Sequence, residues 1–319
     1  MITFKFYEDN DFYILEQFIL NSYNYDVPAW GLSRHEFCRA LHPDFKNAHK
    51  AWTEAMGVFL EDGKIISAVI SEGCYDGDAF FLFDSKERGE DVNLLKRMIK
   101  FAITHLYTIE SDDIQRTLHL YVPNWHTTLK DLVLTMGFTK EDYEETSMHI
   151  DTPNQPFEVK LPEGYHFNTT PVPAFYLSNT HRHAFGYGLP HAEQGSTAFA
   201  KLRTMKHYDP SLEVVVLDPE NRPVAFGIGW VDEAMPYAEL EPLAVVWWER
   251  RKGLGKAVIY ELCNRIKAKY PQVKSMTGGD QPFYAAIGFY PKSKTPRYQF
   301  QMNIYKSWDE RSKTENYRF

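Results

Sequence analysis

One order of strand and helix signals occurs twice in this chain, and that recurrence restricts its fold more than any other feature. The first copy opens on a short alternating strand, Thr3-Phe4-Lys5-Phe6, and the second on Tyr165-His166-Phe167, each followed by a helical region of variable length. Two strands around a turn come next. In the first copy these are Met56 to Leu60, the turn Glu61-Asp62-Gly63-Lys64, and Ile65 to Ile70; the counterparts are Leu212 to Leu217, Asp218 to Arg222, and Val224 to Trp230. Each copy then has a further strand, a long amphipathic helix (about Val92 to Leu106, and about Leu254 to Tyr270), another strand and a short helix. Both end in Gly-Phe, at Gly137-Phe138 and Gly288-Phe289. Equivalent points lie roughly 150 to 160 residues apart, the mark of a duplicated α+β unit. A chain of 319 residues has room for two such domains. Between them, Asp151 to Pro156 and Leu161-Pro162-Glu163-Gly164 read as a linker. The expected division is 1–150, a linker at 151–164, a second domain at 165–305, and a polar tail at 306–319.

The copies differ at the mouth of the long helix. In the second, the apolar run Leu243-Ala244-Val245-Val246 leads into Arg250-Arg251-Lys252-Gly253-Leu254-Gly255, and the helix begins at once. Leu254, Val258, Leu262 and Ile266 recur every four residues, with polar side chains on the other faces. Glycines at a helix start let a ligand approach the backbone, and the unpaired N–H groups there, with the helix dipole, favour an anion. Three cations stand beside them, so the arrangement suits phosphate. A Walker A loop is excluded, because Arg250 stands where its first glycine belongs and Ala257 follows Lys256. A dinucleotide fingerprint is excluded by Val258 in place of the third glycine.

What remains, Arg-x-x-Gly-x-Gly, closely resembles the pyrophosphate loop of the GCN5-related N-acetyltransferases. That family places the loop after its fourth strand and ends the next βα unit with Tyr-x-x-x-Gly-Phe, as Tyr284 to Phe289 do here. The resemblance covers about residues 161–305. It implies two tandem domains of α+β class, each a mixed, mostly antiparallel sheet flanked by helices. It further implies acetyl-CoA as cosubstrate and transfer of the acetyl group to a primary amine by direct attack. Backbone groups of Ala244, Val245 and Val246 are then expected along the pantetheine arm, and Arg250, Arg251, Lys252, Gly253, Leu254, Gly255 and Lys256 around the diphosphate.

Such a reaction needs a base for the amine, a donor for the developing oxyanion and a proton for the departing thiolate. Strand alternation puts Glu239 and Glu241 on one face, and Pro242 marks an interruption of the ladder. Several family members carry a glutamate at this Glu-Pro position, so Glu241 is the expected base and Glu239 the alternative. Tyr284 matches the family's phenolic acid. Many relatives have an asparagine several residues before that tyrosine; here the stretch is Thr277-Gly278-Gly279-Asp280-Gln281-Pro282. Phe185 and Tyr187, in a segment that is a mobile substrate loop in relatives, are expected at the acceptor with Trp230 and Tyr237.

In the first copy the loop position reads Phe83-Asp84-Ser85-Lys86-Glu87-Arg88-Gly89-Glu90-Asp91. Its acidic groups suit the helix dipole and repel a diphosphate. Val133 stands where Tyr284 stands in the second copy, and it cannot trade a proton. The first domain is therefore expected to keep the fold without the chemistry.

Composition places the protein among ordinary globular chains, with 44% apolar and 24% charged residues. A net charge of −8 argues against nucleic acid, and no apolar run approaches the roughly 20 residues of a membrane span. Cys38, Cys74 and Cys263 are too few and too scattered for a disulfide framework or a zinc site, which points to the cytoplasm. His181-Arg182-His183, with His191 beyond, is no metal motif, since residues two apart on a helix diverge by roughly 200°. No metal is expected, and nothing indicates an oligomer. The acceptor, small molecule or peptide, stays open. So do a different acyl group and a non-catalytic acyl-CoA-binding or regulatory protein on the same scaffold.

Overall fold

The computed structural model describes residues 1–23, 30–41, 56–72, 77–110, 114–187 and 190–303. The expected tail at 306–319, Gly188, Leu189 and Cys74 lie outside the described residues, as does the side chain of His191. In chain order the first elements are β1 (Thr3–Phe6), α1 (Phe12–Ser22), α2 (Leu32–Leu41), β2 (Gly57–Glu61), β3 (Lys64–Ile70) and β4 (Asp78–Phe83). Next come α3 (Lys86–Gly89), α4 (Val92–His105), β5 (Thr108–Ile109), β6 (Gln115–Tyr121), α5 (Thr127–Thr135) and β7 (Thr139–Asp151). The rest are β8 (His166–Phe167), α6 (Ala174–Phe185), α7 (Pro190–Leu202), β9 (Glu213–Leu217) and β10 (Pro223–Trp230). They are followed by β11 (Glu239–Val245), α8 (Leu254–Lys269), β12 (Ser275–Gly278), α9 (Pro282–Ala286) and β13 (Tyr290–Asn303).

These elements form two compact units. One comprises Met1–Trp30, Lys50–Thr146 and Ser293–Phe319; the other comprises Gly31–His49 and Ser147–Lys292. They are not the two linear halves that the repeat leads one to expect. Of the described residues, 31–41 count with the second unit and 293–303 with the first, because membership follows long-range contacts that a repeat does not record.

In the first unit β1 to β4 are antiparallel neighbours. The β2–β3 hairpin turns at Asp62 and Gly63, both at positive φ (50° and 77°), as an Asp-Gly pair favours. β4 then meets β6 in parallel at Asp78↔His119 and Ala79↔Leu120, and β13 runs antiparallel to β6 from Arg297↔Tyr121 onward. The amphipathic α4 buries Leu94, Leu95, Met98, Ile99 and Ala102 against Phe59, Val69, Leu118 and Leu120. Its first turn is closed by its own sequence, since the Asp91 carboxylate accepts from the N–H groups of Asn93 (2.9 Å) and Leu94 (3.1 Å). An acid thus fills the helix mouth where the second copy has glycine.

In the second unit β8, β9, β10 and β11 form an antiparallel run. Alternation divides its side chains between two layers. Val214, Val216 and Leu240 pack with Val258, Leu262 and Ile266 of α8, while Val215, Phe226 and Ile228 pack with Leu177 of α6 and Phe199 and Leu202 of α7. β12 pairs antiparallel with residues 148–151 of β7. The expected linker is held down on α8: Asn264 exchanges hydrogen bonds with the backbone of Phe157 (2.8 and 3.0 Å), whose ring stacks on Tyr260 at 4.1 Å.

Fully buried His149 joins β7 to β12, its Nδ1 3.0 Å from Ser275 Oγ and its Nε2 3.2 Å from Ser147 Oγ. Burial, with Lys292 nearby, pushes its pKa down to about 4. The unfolded chain takes up this proton near the ordinary pKa of about 6.5, so the fold loses stability as pH falls from there towards 4, by about 3 kcal/mol in all. Chemical denaturation of His149→Gln at pH 7 and pH 4.5 is expected to show a smaller acid loss than the parent protein; an equal loss refutes the assignment.

Candidate active site

Between β11 and α8 the chain makes a single 3-10 turn at Trp247–Glu249 and is extended at Arg250. It enters the left-handed region at Arg251 (φ 69°) and again at Gly253 (φ 83°). Holding an arginine there costs on the order of 1 kcal/mol or more. Gly253 is the N-cap of α8 and no side chain caps the helix. The first intrahelical bond runs from Ala257 N–H to Gly253 carbonyl at 3.0 Å. The N–H groups of Leu254, Gly255 and Lys256 precede that bond and point off the helix end. Here, unlike at Asp91, the sequence leaves the positive end of the dipole for a ligand.

The cations around it have separate duties. Arg250 reaches back, its Nη2 donating to the Ala184 carbonyl at 2.5 Å, which pins the end of α6 to the loop. Lys252 is held by Glu249 (2.9 Å) and the Tyr165 hydroxyl (3.0 Å), and Tyr165 also donates to Glu249 at 2.6 Å. Arg251 is exposed, and Lys256 lies over the Tyr260 ring at 5.0 Å. Arg250 and Lys252 thus bond within the unit and shape the loop.

Strand β11 supplies the second part. The residue before it, Ala238, bridges to β12: its N–H donates to Ser275 carbonyl (2.9 Å) and its carbonyl accepts from Thr277 N–H (2.8 Å). Beyond that point no pairing occurs on this side among the described residues, and this edge of β11 is open. On the β10 side the register passes from Gly227↔Leu243 to Gly229↔Leu240, so Glu241 and Pro242 together face Ile228, a bulge. The Glu241–Pro242 peptide is cis. Val246 N–H donates to Val224 carbonyl at 3.0 Å, so in an antiparallel ladder Ala244 and Val246 serve β10 while Leu243 and Val245 face the open edge. Of the backbone set expected from sequence, Val245 therefore faces the open edge together with Leu243, while Ala244 and Val246 bond β10.

Glu241 is half-buried on this bulge. Its charge reaches Tyr284, whose phenol is pushed up to about 12 by burial first and by Glu241 as a lesser cause, against a hydrogen bond from the Gly279 backbone. The two groups expected from sequence to move protons thus lie within electrostatic reach of each other. The glycines that replace the family's asparagine make room for the ring: a Cβ on Gly278 would lie 2.7 Å from Tyr284 Cδ1, and one on Gly279 2.9 Å from its Cε2. Phe289 meets the same ring edge-on at 5.0 Å. The neighbouring Phe283 would touch a Cβ on Gly255 at 3.0 Å, which ties α9 to the start of α8.

Other candidates fall elsewhere. Trp230 is fully buried, and its indole N–H donates to the Glu241 carbonyl at 2.6 Å, so it fixes the bulge instead of lining a pocket. Glu239 is buried too and accepts from Ser33 N–H at 2.8 Å, capping α2. That duty occupies one oxygen of the group expected as the alternative base. Gly31 packs against this carboxylate, where an added Cβ would come within 2.2 Å of Oε1. Gly31→Ala is expected to cost about 1–2 kcal/mol by displacing the cap. In a Glu239→Ala background the same substitution should cost almost nothing, and a thermal double-mutant cycle reads the difference. Phe185 and Tyr187 are exposed and stacked at 6.0 Å, with buried His181 beside both. His183 turns the other way, to Trp248 at 4.8 Å, as helical geometry requires.

Residues 177–293 match the sequence profile described as the acetyltransferase (GNAT) family. The chain carries a GNAT acetyltransferase domain. A GCN5-related N-acetyltransferase from Sphaerobacter thermophilus is similar in fold over 95% of this chain and 96% of its own, with TM-score 0.55 and 14% identity. A tandem GNAT protein from the clavulanic acid biosynthesis pathway, solved without AcCoA, is similar over 94% of this chain and 98% of its own, with TM-score 0.59 and 14% identity. No curated protein matches. The GNAT fold therefore occurs twice, and the uncapped helix, the open edge and the phenol belong to the second copy. Sequence reasoning missed Leu243, Gly31 and Ser33. Only the ladder's register reveals the first, and the other two lie about 200 residues from Glu239, where no local signal exists. Among the described residues no helix is long and apolar enough to cross a membrane.

Proposed function

We propose that the second unit transfers an acetyl group from acetyl-CoA to a primary amine. One observation carries this reading: an uncapped helix N-terminus stands at the end of an open strand edge, with Glu241 and Tyr284 within electrostatic reach of each other beside it. The N–H groups of Leu254, Gly255 and Lys256 hold the diphosphate, with Arg251 and Lys256 adding charge. The edge-facing groups of Leu243 and Val245 align the pantetheine arm, and an N–H there donates to the developing oxyanion. The thioester supplies the acyl group and a thiolate leaving group.

Glu241 takes the proton of the attacking amine as the C–N bond forms, and Tyr284 gives its proton to sulfur as the C–S bond breaks. A phenol at about 12 is a weak acid beside a thiol near 8.5, a gap of roughly 5 kcal/mol. Protonation of Glu241 narrows that gap by removing one of the two causes that raise Tyr284. Base and acid therefore work as a couple, and the Glu241 proton returns to the phenolate afterwards. A thiol-release screen of an amine library with acetyl-CoA tests the reading, with Tyr284→Phe as control. If acetyl-CoA binds and no acceptor releases thiol above the control, the non-catalytic acyl-CoA-binding reading replaces it.

A further inference from the structure

A second cavity lies in the same unit, away from the groups just described. It has a volume of about 800 Å³, ample for a small molecule, and none of residues 250–256, Glu241 or Tyr284 lines it. Its apolar floor comes from Val172, Leu217, Val224 and Val246, and its rim from Tyr176, Asn179, His183, Arg222 and Trp248.

The rim has a consistent chemistry. Asn179 Oδ1 accepts from Arg182 Nε (3.2 Å) and Nη2 (2.8 Å), which leaves the amide's N–H end as its donor. His183 Nε2 lies 2.6 Å from Arg182 Nη2, so this ring nitrogen is the acceptor and Nδ1 carries the hydrogen. Burial first, and the Arg182 charge second, hold the His183 pKa below its usual value, consistent with a neutral ring. Arg222 also lines the cavity, but its guanidinium is held by Asp218 (2.7 Å) and by Glu220 (2.5 Å), the one acid on the lining. The Asn179 amide N–H groups and the His183 Nδ1–H are thus the donors this rim offers a ligand. Trp248 and Tyr176 are each about half exposed at this rim, and with the prolines they offer flat faces. The matching ligand is a planar ring that bears an oxyanion.

The cavity is also linked to the phosphate loop. Trp248 sits in the turn that leads to Arg250, and α6, which carries Asn179 and His183, ends at the Ala184 carbonyl that Arg250 grips. A ligand in the cavity touches both sides of that contact. We propose that this cavity is an effector site for an aromatic carboxylate or phosphate, coupled to the anion-binding loop of α8. Coupling between sites is reciprocal, so each ligand changes the other's affinity by one factor, here about fivefold or more.

Titration calorimetry on the full chain tests this with adenosine 5′-monophosphate and 2-naphthoate as probes and adenosine and 2-naphthamide as neutral controls, each with and without acetyl-CoA. At least one oxyanion probe is expected to bind with Kd below about 1 mM, and its neutral partner at least tenfold more weakly. Binding of the monophosphate alone identifies a phosphate ligand, and of the naphthoate alone a carboxylate. Asn179→Asp keeps the acceptor for Arg182 and puts an oxyanion where the donor was. It should weaken the probe about tenfold or more while acetyl-CoA binding without probe stays unchanged. The proposal is overturned if neither oxyanion binds at millimolar concentration. It also fails if Asn179→Asp changes nothing and acetyl-CoA abolishes the heat, which places the probe in the loop of α8, or if bound probe leaves acetyl-CoA affinity unaltered. Probe binding to protein that ignores acetyl-CoA sinks the acyl-transfer reading and not the second site.

Discussion

Replacing Tyr284 by phenylalanine is expected to lower kcat about 10²–10⁴-fold while the Kd of acetyl-CoA changes less than about threefold. The substitution removes one oxygen and little else. The ring stays seated between Gly278, Gly279 and Phe289, and the loop of α8 is untouched. Because the phenol is pushed up to about 12, it stays protonated across the working range, and any fall in rate between pH 7 and 10 belongs to another group. The pH profile of the variant should therefore keep its shape in that window and drop as a whole. Glu241→Gln should cost a similar factor, and the double variant little more than either, since groups acting as a couple are strongly non-additive. Stopped-flow thiol release with a saturating amine measures all three. Turnover within a few-fold of the parent for Tyr284→Phe removes the phenol from the reaction. A loss of activity matched by a loss of acetyl-CoA binding makes it a structural residue.

The sequence revealed those parts of the molecule whose causes are local. The helix of 254–269 follows from four-residue apolar spacing, the β2–β3 turn from Asp-Gly, and the uncapped helix start from glycine at its mouth. The contrast between the copies was also local, because Asp91 closes in the first the helix mouth that Gly253 opens in the second. What escaped was set by pairing at long range. Glu239 and Glu241 look alike on an alternating strand. Yet one is buried under Ser33 of a helix from the first half of the chain, and the other is lifted on a bulge held by Trp230. The choice between Ala244 and Leu243 likewise rests on which edge β10 occupies, a fact of register that no periodicity contains. Nor does charge near a glycine loop show which cations are committed. Arg250 and Lys252, expected at the diphosphate, also bond Ala184 and Glu249.

The loop itself gives the other large effect. Gly253→Glu is expected to weaken acetyl-CoA binding about 10²-fold or more with the fold intact. A Cβ at Gly253 meets nothing within 4 Å, so the protein has room for a side chain. The residue sits at φ 83°, however, where any L side chain is strained by about 1–2 kcal/mol. Strain alone cannot separate the two readings of this loop, but charge can. Gly253→Ala carries the strain without the charge and should shift the melting temperature by a few degrees, with acetyl-CoA affinity within about tenfold of the parent. The glutamate adds a carboxylate beside the N–H groups of Leu254, Gly255 and Lys256. At about 5 Å from a phosphate, with an effective dielectric near 20, the repulsion is about 3 kcal/mol per charge, which exceeds the strain. It should also fade with salt, because an exposed loop is screened within about 10 Å at 0.1 M. Calorimetry at low and high ionic strength therefore decides the matter. If alanine and glutamate weaken the cofactor equally, the loop acts through its shape and the anion is not held at the helix end. If neither weakens it, coenzyme A binds somewhere else.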